Sequence, residues 1–264
     1  MPSRGSVNAS ACGRGDPRNI TATLLYLVLT PFSRRSQSGV AAIHSRELIM
    51  RRLILTSLAV TLVLTLSCFY AYSQDQGAKV TDEFRRDFIK NFRKHGLSTT
   101  PGDAMFLRIL VENGKLKRGI EVGSAFGYGA INMGIAFERN AGQLISLDID
   151  PEMVKTSRDN IQKMGLEKTC AVIEGDALKI LPTLEGEFDF IFIDALKRDY
   201  LKYLQAVLPK LKPGSLVIAD NVIQSAREMK DYLEFVQNDK EFDTVIVRSS
   251  MDKNDGMAVS YKLK

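Results

Sequence analysis

The sequence predicts an α/β fold: a doubly wound, seven-stranded, mostly parallel sheet with an antiparallel last strand and helices on both faces. Three observations carry this prediction. From residue 118 onward, short apolar runs alternate with helix-length amphipathic segments, the pattern of strands joined by helical crossovers. A glycine-rich turn, Gly123-Ser124-Ala125-Phe126-Gly127-Tyr128-Gly129, follows the first apolar run and opens a helix. The last two strands are joined only by 250–256, too short for a parallel crossover, so the final strand runs antiparallel.

In chain order, residues 1–49 are rich in Ser, Gly, Arg and Asn, and their one apolar run, Ile20 to Leu29, is too short to span a bilayer. They read as a disordered extension, or as an untranslated one with Met50 as the start. Arg51-Arg52 then precede Leu53 to Tyr72, which carry no charge, and Ala71-Tyr72-Ser73 supply small residues before polar Gln74-Asp75-Gln76-Gly77. A basic segment, an apolar segment and small residues make a signal peptide over 50–76. Uncleaved, 53–72 would serve as a membrane anchor. The arginines stay in the cytoplasm and the remainder is exported in both cases. If 50–73 directs no export, the protein is cytoplasmic. Cys68 is a poor lipoprotein site, because Thr65-Leu66-Ser67 precede it.

Residues 77–264 form the domain. Helices are expected at 78–95 (with Phe84, Phe88 and Phe92 on one face) and 103–112, with a loop at 95–102 between them. Strands follow at 118–123, 143–148, 170–174, 188–193, 215–219, 242–249 and 257–263, and helices at 128–138, 151–164, 176–183, 198–208 and 225–238. The result is a Rossmann-like alternation.

Charge excludes one class of partner. Of 36 Lys and Arg and 31 Asp and Glu, residues 1–76 hold 8 and 3, so 77–264 hold 28 of each sign. A domain without net charge is not built for nucleic acid. Its single cysteine, Cys170, rules out a disulfide framework. His44 and His95 are isolated, and both read as structural.

The chemistry lies at the strand ends, where ligands bind in open α/β sheets. Glu121 sits inside the first strand, and the glycines after it are spaced Gly123-x3-Gly127-x-Gly129 rather than in the dinucleotide pattern. Asp148 ends the second strand 19 residues beyond Gly129, where a carboxylate takes ribose hydroxyls. A nucleoside without a pyrophosphate, S-adenosylmethionine, fits this pairing. Asp176-Ala177 follow the third strand, and Asp176 is placed either for an adenine amino group or as a helix cap. Asp194, Asp220 and Asn221 end two neighbouring strands. Hard oxygen donors without His or Cys suit Mg²⁺, with Ca²⁺ or Mn²⁺ as substitutes. Lys197, three residues past Asp194, could accept a proton or hold a phenolate by charge. The bland alternatives are helix caps and a solvated lysine.

Residues 78–264 resemble the cation-dependent O-methyltransferases, the group of catechol and caffeoyl-coenzyme A O-methyltransferases. The carrying segments are Glu121-Val122-Gly123…Gly127-Tyr128, Leu147-Asp148-Ile149-Asp150, Phe188 to Lys197 with Tyr200 and Tyr203, Ala219-Asp220-Asn221-Val222 and Asp255-Gly256-Met257-Ala258. The resemblance implies S-adenosylmethionine on Glu121, Gly123, Ser124, Tyr128, Gly129, Asp148, Asp176, Ala177 and Asp194. It implies a divalent metal on Asp194, Asp220 and Asn221, Lys197 as catalytic base, and dimers as in many bacterial members. Two departures stand out: Gly129 where the family usually has Ser, and Leu196 where it usually has Asp or Trp.

The expected activity is methyl transfer to a phenolic, catechol-like hydroxyl of a small molecule. The alternatives are a nicotinamide-dependent oxidoreductase, which the glycine spacing disfavours, and an exported or tethered binding domain without catalysis.

Overall fold

The computed structural model describes residues 39–74, 80–93 and 97–264. Residues 1–38, 75–79 and 94–96 lie outside the described residues, and with them most of the expected extension, the end of the expected signal segment, both ends of the helix expected at 78–95 and the start of the loop expected at 95–102. The chain divides into two compact units, Met1–Gln76 and Gly77–Lys264.

In the first unit, helix α1 spans Gly39–Gln74. It begins before Met50, so residues 39–49, expected as an extension, are already helical. Its 20-residue stretch Leu48–Ser67 has a mean hydropathy of 1.8 and is long and apolar enough to cross a membrane. The hydroxyls of Thr56, Thr61, Thr65 and Ser67 donate to carbonyls three or four residues earlier, which satisfies these polar groups within the helix.

The second unit opens with α2 (Asp82–Lys90), shorter than the expected 78–95 because the Thr81 hydroxyl accepts from the Phe84 N–H and starts the helix there. Arg85 clamps it down, forking onto Glu138 at 2.5 and 3.1 Å and donating to the Met164 carbonyl. Phe84, Phe88 and Phe92 pack in series through tilted and edge-to-face contacts and end on Tyr128, whose ring centroid is 4.9 Å from that of Phe92. Helix α3 (Pro101–Asn113) starts earlier than expected: Thr100 caps it and Pro101 takes the first position, where its missing N–H costs nothing.

The sheet then builds in alternation: β1 (Arg118–Val122), α4 (Tyr128–Arg139), β2 (Gln143–Asp148), α5 (Pro151–Lys163), β3 (Cys170–Glu174), α6 (Ala177–Ile180), β4 (Phe188–Ile193), α7 (Tyr200–Val207), β5 (Leu211–Ala219), α8 (Lys230–Asn238), β6 (Phe242–Val247) and β7 (Met257–Lys262). Strand order is β3-β2-β1-β4-β5-β7-β6. All pairings are parallel except those of β7, which is antiparallel to both β5 and β6, as the short connection requires. Within this alternation, two element starts moved by four residues or more. Strand β5 begins at Leu211, opposite Phe188 across a register shift. Helix α8 begins at Lys230, because the segment from Ile223 is held in turns by Asp255, whose Oδ1 accepts the N–H groups of Ile223 and Gln224.

Alternation along β4 divides the core. Phe190 and Phe192 pack on one face with Leu107, Ile131 and Phe137, while Ile191 and Ile193 pack on the other with Tyr200, Leu204 and Tyr232. Helix α4 is buried from Tyr128 to Phe137 and is apolar there except for Asn132, whose amide donates to the Tyr128 carbonyl. Cys170 is buried beneath it and donates to the Ala130 carbonyl at 3.7 Å. Burial pushes the Cys170 thiol well above its ordinary pKa.

Candidate active site

Strands β1 and β4 are sequence-distant neighbours whose connections leave toward opposite sides, so a crevice opens at their carboxyl ends. A cavity of about 820 Å³ fills it. Its wall includes Gly123 and Ala125 after β1, Asp148 at the end of β2, Asp176 and Ala177 after β3, Asp194 and Lys197 after β4, and Asp220 and Asn221 after β5. Apolar Leu97, Ile149, Met153, Leu178 and Leu196 complete much of the rim. An apolar cavity with a few convergent polar groups is how small-molecule sites are made.

The first turn is tightly built. Gly123 has φ +99°, and a Cβ there would collide with the Asp194 carbonyl oxygen. Ala125 has φ +43°, unusual for a residue with a side chain, and its N–H donates to Asp148 Oδ2 at 2.7 Å. Asp148 Oδ1 accepts from the Asp150 N–H at 3.0 Å. Each oxygen has a second lone pair, so the carboxylate is oriented by backbone and still able to accept. Asp176 accepts from the Leu178 N–H at 2.9 Å and so is a helix cap that also lines the cavity.

Four sequence-predicted residues stand behind this wall rather than on it. Ser124 is buried with its hydroxyl 2.8 Å from that of Ser157, and Tyr128 is buried against Phe92. Gly129 is buried in the first turn of α4, and Glu121 is 1% exposed. Glu121 and Gly129 explain each other. A Cβ on Gly129 would lie 2.5 Å from Glu121 Oε1, so the carboxyl fills the space that a serine side chain would take.

The register puts Ser146 opposite Glu121, and its hydroxyl donates to Glu121 Oε2. Burial raises the Glu121 pKa to about 8; the Ser146 bond opposes this, and the charges of Asp194 and Asp148 add to it. The sign follows from proton counting. Between its ordinary value of 4.5 and about 8, folded protein keeps a proton that the unfolded chain has released. The contribution to stability is therefore full below pH 4.5 and is lost as pH rises through about 8. Glu121→Gln should flatten the fall in melting temperature between pH 6 and 9. A fall as steep as that of the parent would show that Glu121 does not carry it.

Beyond β4 the polar groups converge. The Lys197 ammonium donates to Asp194 Oδ1 at 2.9 Å, Asn221 Oδ1 at 2.6 Å and Tyr200 Oη at 2.8 Å. The side-chain nitrogen thus has three oxygen partners. Tyr200 Oη donates on to the Asp220 carbonyl. Asn221 holds φ +61°, and its amide nitrogen donates to Asp255, which turns its oxygen toward Lys197. Backbone strain of this kind collects at functional sites. Asp220 is 2% exposed; burial and then the charge of Asp194 raise its pKa to about 6, against the pull of Lys253.

The donors fit a hard divalent cation. Oxygens of Asp194 and Asn221 converge on the Lys197 nitrogen, and the buried carboxylate of Asp220 stands beside Asp194. Among the described residues no group of three or more His, Cys, Asp and Glu converges, so such an ion would take two carboxylates and one amide and keep several waters.

Two residues here were missed from sequence. Lys253 in the β6–β7 loop donates to both oxygens of Asp220 and pairs with Asp103. Asp103, expected only as a helix residue, is 0% exposed. The available signal was adjacency: β7 returns beside β5, so the residues just before Asp255-Gly256 must arrive at Asp220.

Comparison with known proteins follows the same lines. The O-methyltransferase family model matches residues 71–258. A catechol O-methyltransferase of Niastella koreensis is 37% identical over 139 residues, covering 51% of this chain and 62% of that protein. Caffeoyl-CoA O-methyltransferase 1 of Eucalyptus globulus is 32% identical over 132 residues, covering 48% and 53%. The matches thus span less than two thirds of these relatives' own lengths. The crystal structure of the Bacillus cereus O-methyltransferase in complex with SAH superposes with a TM-score of 0.61 at 21% identity, over 73% of this chain and 96% of that one. At that identity the likeness concerns the fold.

Proposed function

The chain belongs to the O-methyltransferase family, and from that premise we propose that its cavity binds S-adenosylmethionine and passes the methyl group to a phenolic, catechol-like hydroxyl of a small molecule. The family sets aside the nicotinamide-dependent reading. The observation that carries the proposal is the convergence of Asp194, Asn221 and Lys197 at the same crevice that Asp148 and the Gly123 turn line.

Asp148 accepts the ribose hydroxyls, and Asp176 with Ala177 faces the adenine. Gly123 lets the donor approach the backbone without a Cβ in the way. Asp194, Asp220 and Asn221 hold the divalent cation, with Mg²⁺ first and Ca²⁺ or Mn²⁺ as substitutes. That ion, when bound, lowers the pKa of the acceptor hydroxyl and orients it. Lys197, held by Asp194 and Asn221, is the base that takes the proton of the acceptor hydroxyl, and as the ammonium it then steadies the phenolate by charge. Exposed Leu196 offers an apolar surface beside it for the acceptor ring. The remaining contribution is positioning, in which acceptor oxygen and methyl donor are held in line by opposite walls of one cavity.

The test is calorimetric titration with S-adenosylhomocysteine, with and without Mg²⁺, followed by turnover on catechol. Saturable binding with metal-dependent methylation is the expected result. Absence of binding in both conditions would leave a fold without its donor and return the binding-domain reading.

A further inference from the structure

Lys253 belongs to none of the motifs that carry the proposed reaction, yet its ammonium joins three segments of the cavity wall. It donates to Asp220 Oδ1 and Oδ2 at 2.6 Å each, and it lies 2.9 Å from Asp103 Oδ2. Asp103 is further held by the hydroxyls of Thr100 and Ser249, at 2.7 and 2.5 Å. Thus the first turn of α3, the end of β5 and the β6–β7 loop meet at one positive charge. The side chain of Lys253 is only 17% exposed, and both carboxylates are buried.

Buried carboxylates need counter-charge. Lys197 is engaged by Asp194 and Asn221, so Lys253 is what serves Asp220. It engages both oxygens of that carboxylate, and a divalent ion that takes an oxygen of Asp220 meets an ammonium already there. Asp103 offers the ammonium somewhere to go, since it is within bonding distance and needs a cation itself.

We infer that Lys253 is a built-in competitor for the cation site: it holds Asp220 until a divalent ion takes it, then rests on Asp103 alone. This deepens the proposed cation site and rests on it. Affinity for the metal is held below what three oxygen donors would give, and metal entry is tied to the Ser249–Lys253 segment and, through Asp103, to Thr100 on the cavity wall.

The test compares Mn²⁺ binding, read by electron paramagnetic resonance and calorimetry, in the full chain in detergent and in Lys253→Met. Because that change strands the buried Asp103 charge, the double variant Asp103→Asn/Lys253→Met is measured alongside, and Lys253→Arg serves as the charge-keeping control. The double variant should bind Mn²⁺ roughly 10- to 100-fold more tightly than the parent, while Lys253→Arg stays near the parent value. Affinity that is unchanged or weaker in the double variant overturns the inference. So does an absence of Mn²⁺ binding in every form, which removes the cation site as well. S-adenosylhomocysteine binding, measured on the same samples, separates the two ideas: its loss in all forms defeats the proposed function, while the Mn²⁺ comparison still decides the role of Lys253.

Discussion

Asp194→Ala is expected to lower kcat/KM for methyl transfer to catechol by about 10³-fold and to remove its response to added Mg²⁺. The side chain carries one oxygen of the proposed cation site and anchors Lys197 at 2.9 Å, so its loss undoes both sources of positive charge near the acceptor. The backbone is spared. The Asp194 carbonyl would still sit against Gly123, and its N–H would still bond the Val122 carbonyl at 2.8 Å. Binding of S-adenosylhomocysteine should therefore change only a few-fold, and that separation is the diagnostic. Asp194→Asn, which keeps an oxygen and loses the charge, should fall between the parent and the alanine variant. Steady-state rates across a Mg²⁺ series check the prediction. Turnover that stays metal-responsive in the alanine variant would take Asp194 out of the cation site.

Gly123→Ala should act through the frame instead. With φ +99° the position suits glycine, and the added Cβ would lie 2.8 Å from the Asp194 carbonyl carbon and closer still to its oxygen. Neither atom is at the end of a flexible side chain, so the ends of β1 and β4 must part. The combined cost of the backbone conformation and the overlap is about 3 kcal/mol, or roughly 6–12 °C in melting temperature for a unit of this size. The crevice lies between those two strand ends, so donor binding should be lost along with stability. Thermal melts with and without S-adenosylhomocysteine test this. A variant that melts as the parent does, and is still stabilised by ligand, would show that the β1–β4 crevice is looser than its contacts indicate.

Much of this arrangement was legible in the sequence, for topological reasons. Once strands and helices alternate, the acids ending successive strands must share one edge of the sheet, so Asp148, Asp194 and Asp220 could be brought together without coordinates. The antiparallel return of β7 followed from the length of one loop. Contacts between sequence-distant elements were less legible. Helix α8 starts late because Asp255, 30 residues or more away, captures the N–H groups of Ile223 and Gln224. Glu121 was visible as an acid in a strand, but its raised pKa depends on burial and on Ser146 across the register. Lys253 was visible only as part of the 250–256 connection, and Asp103 only as the start of a helix. Their pairing exists only because β7 lies beside β5 and the Ser249–Lys253 segment folds over the start of α3.

The burial of Cys170 has a practical side. It is the one cysteine in residues 77–264. With its sulfur under α4 and its thiol held protonated, thiol-directed dyes should leave it unmodified while the domain is folded. A cysteine introduced at Met251, whose side chain is fully in solvent, would then be the site of fluorophore attachment in that unit. It would stand two residues from Lys253, where emission could register the arrival of an ion at Asp220 in real time.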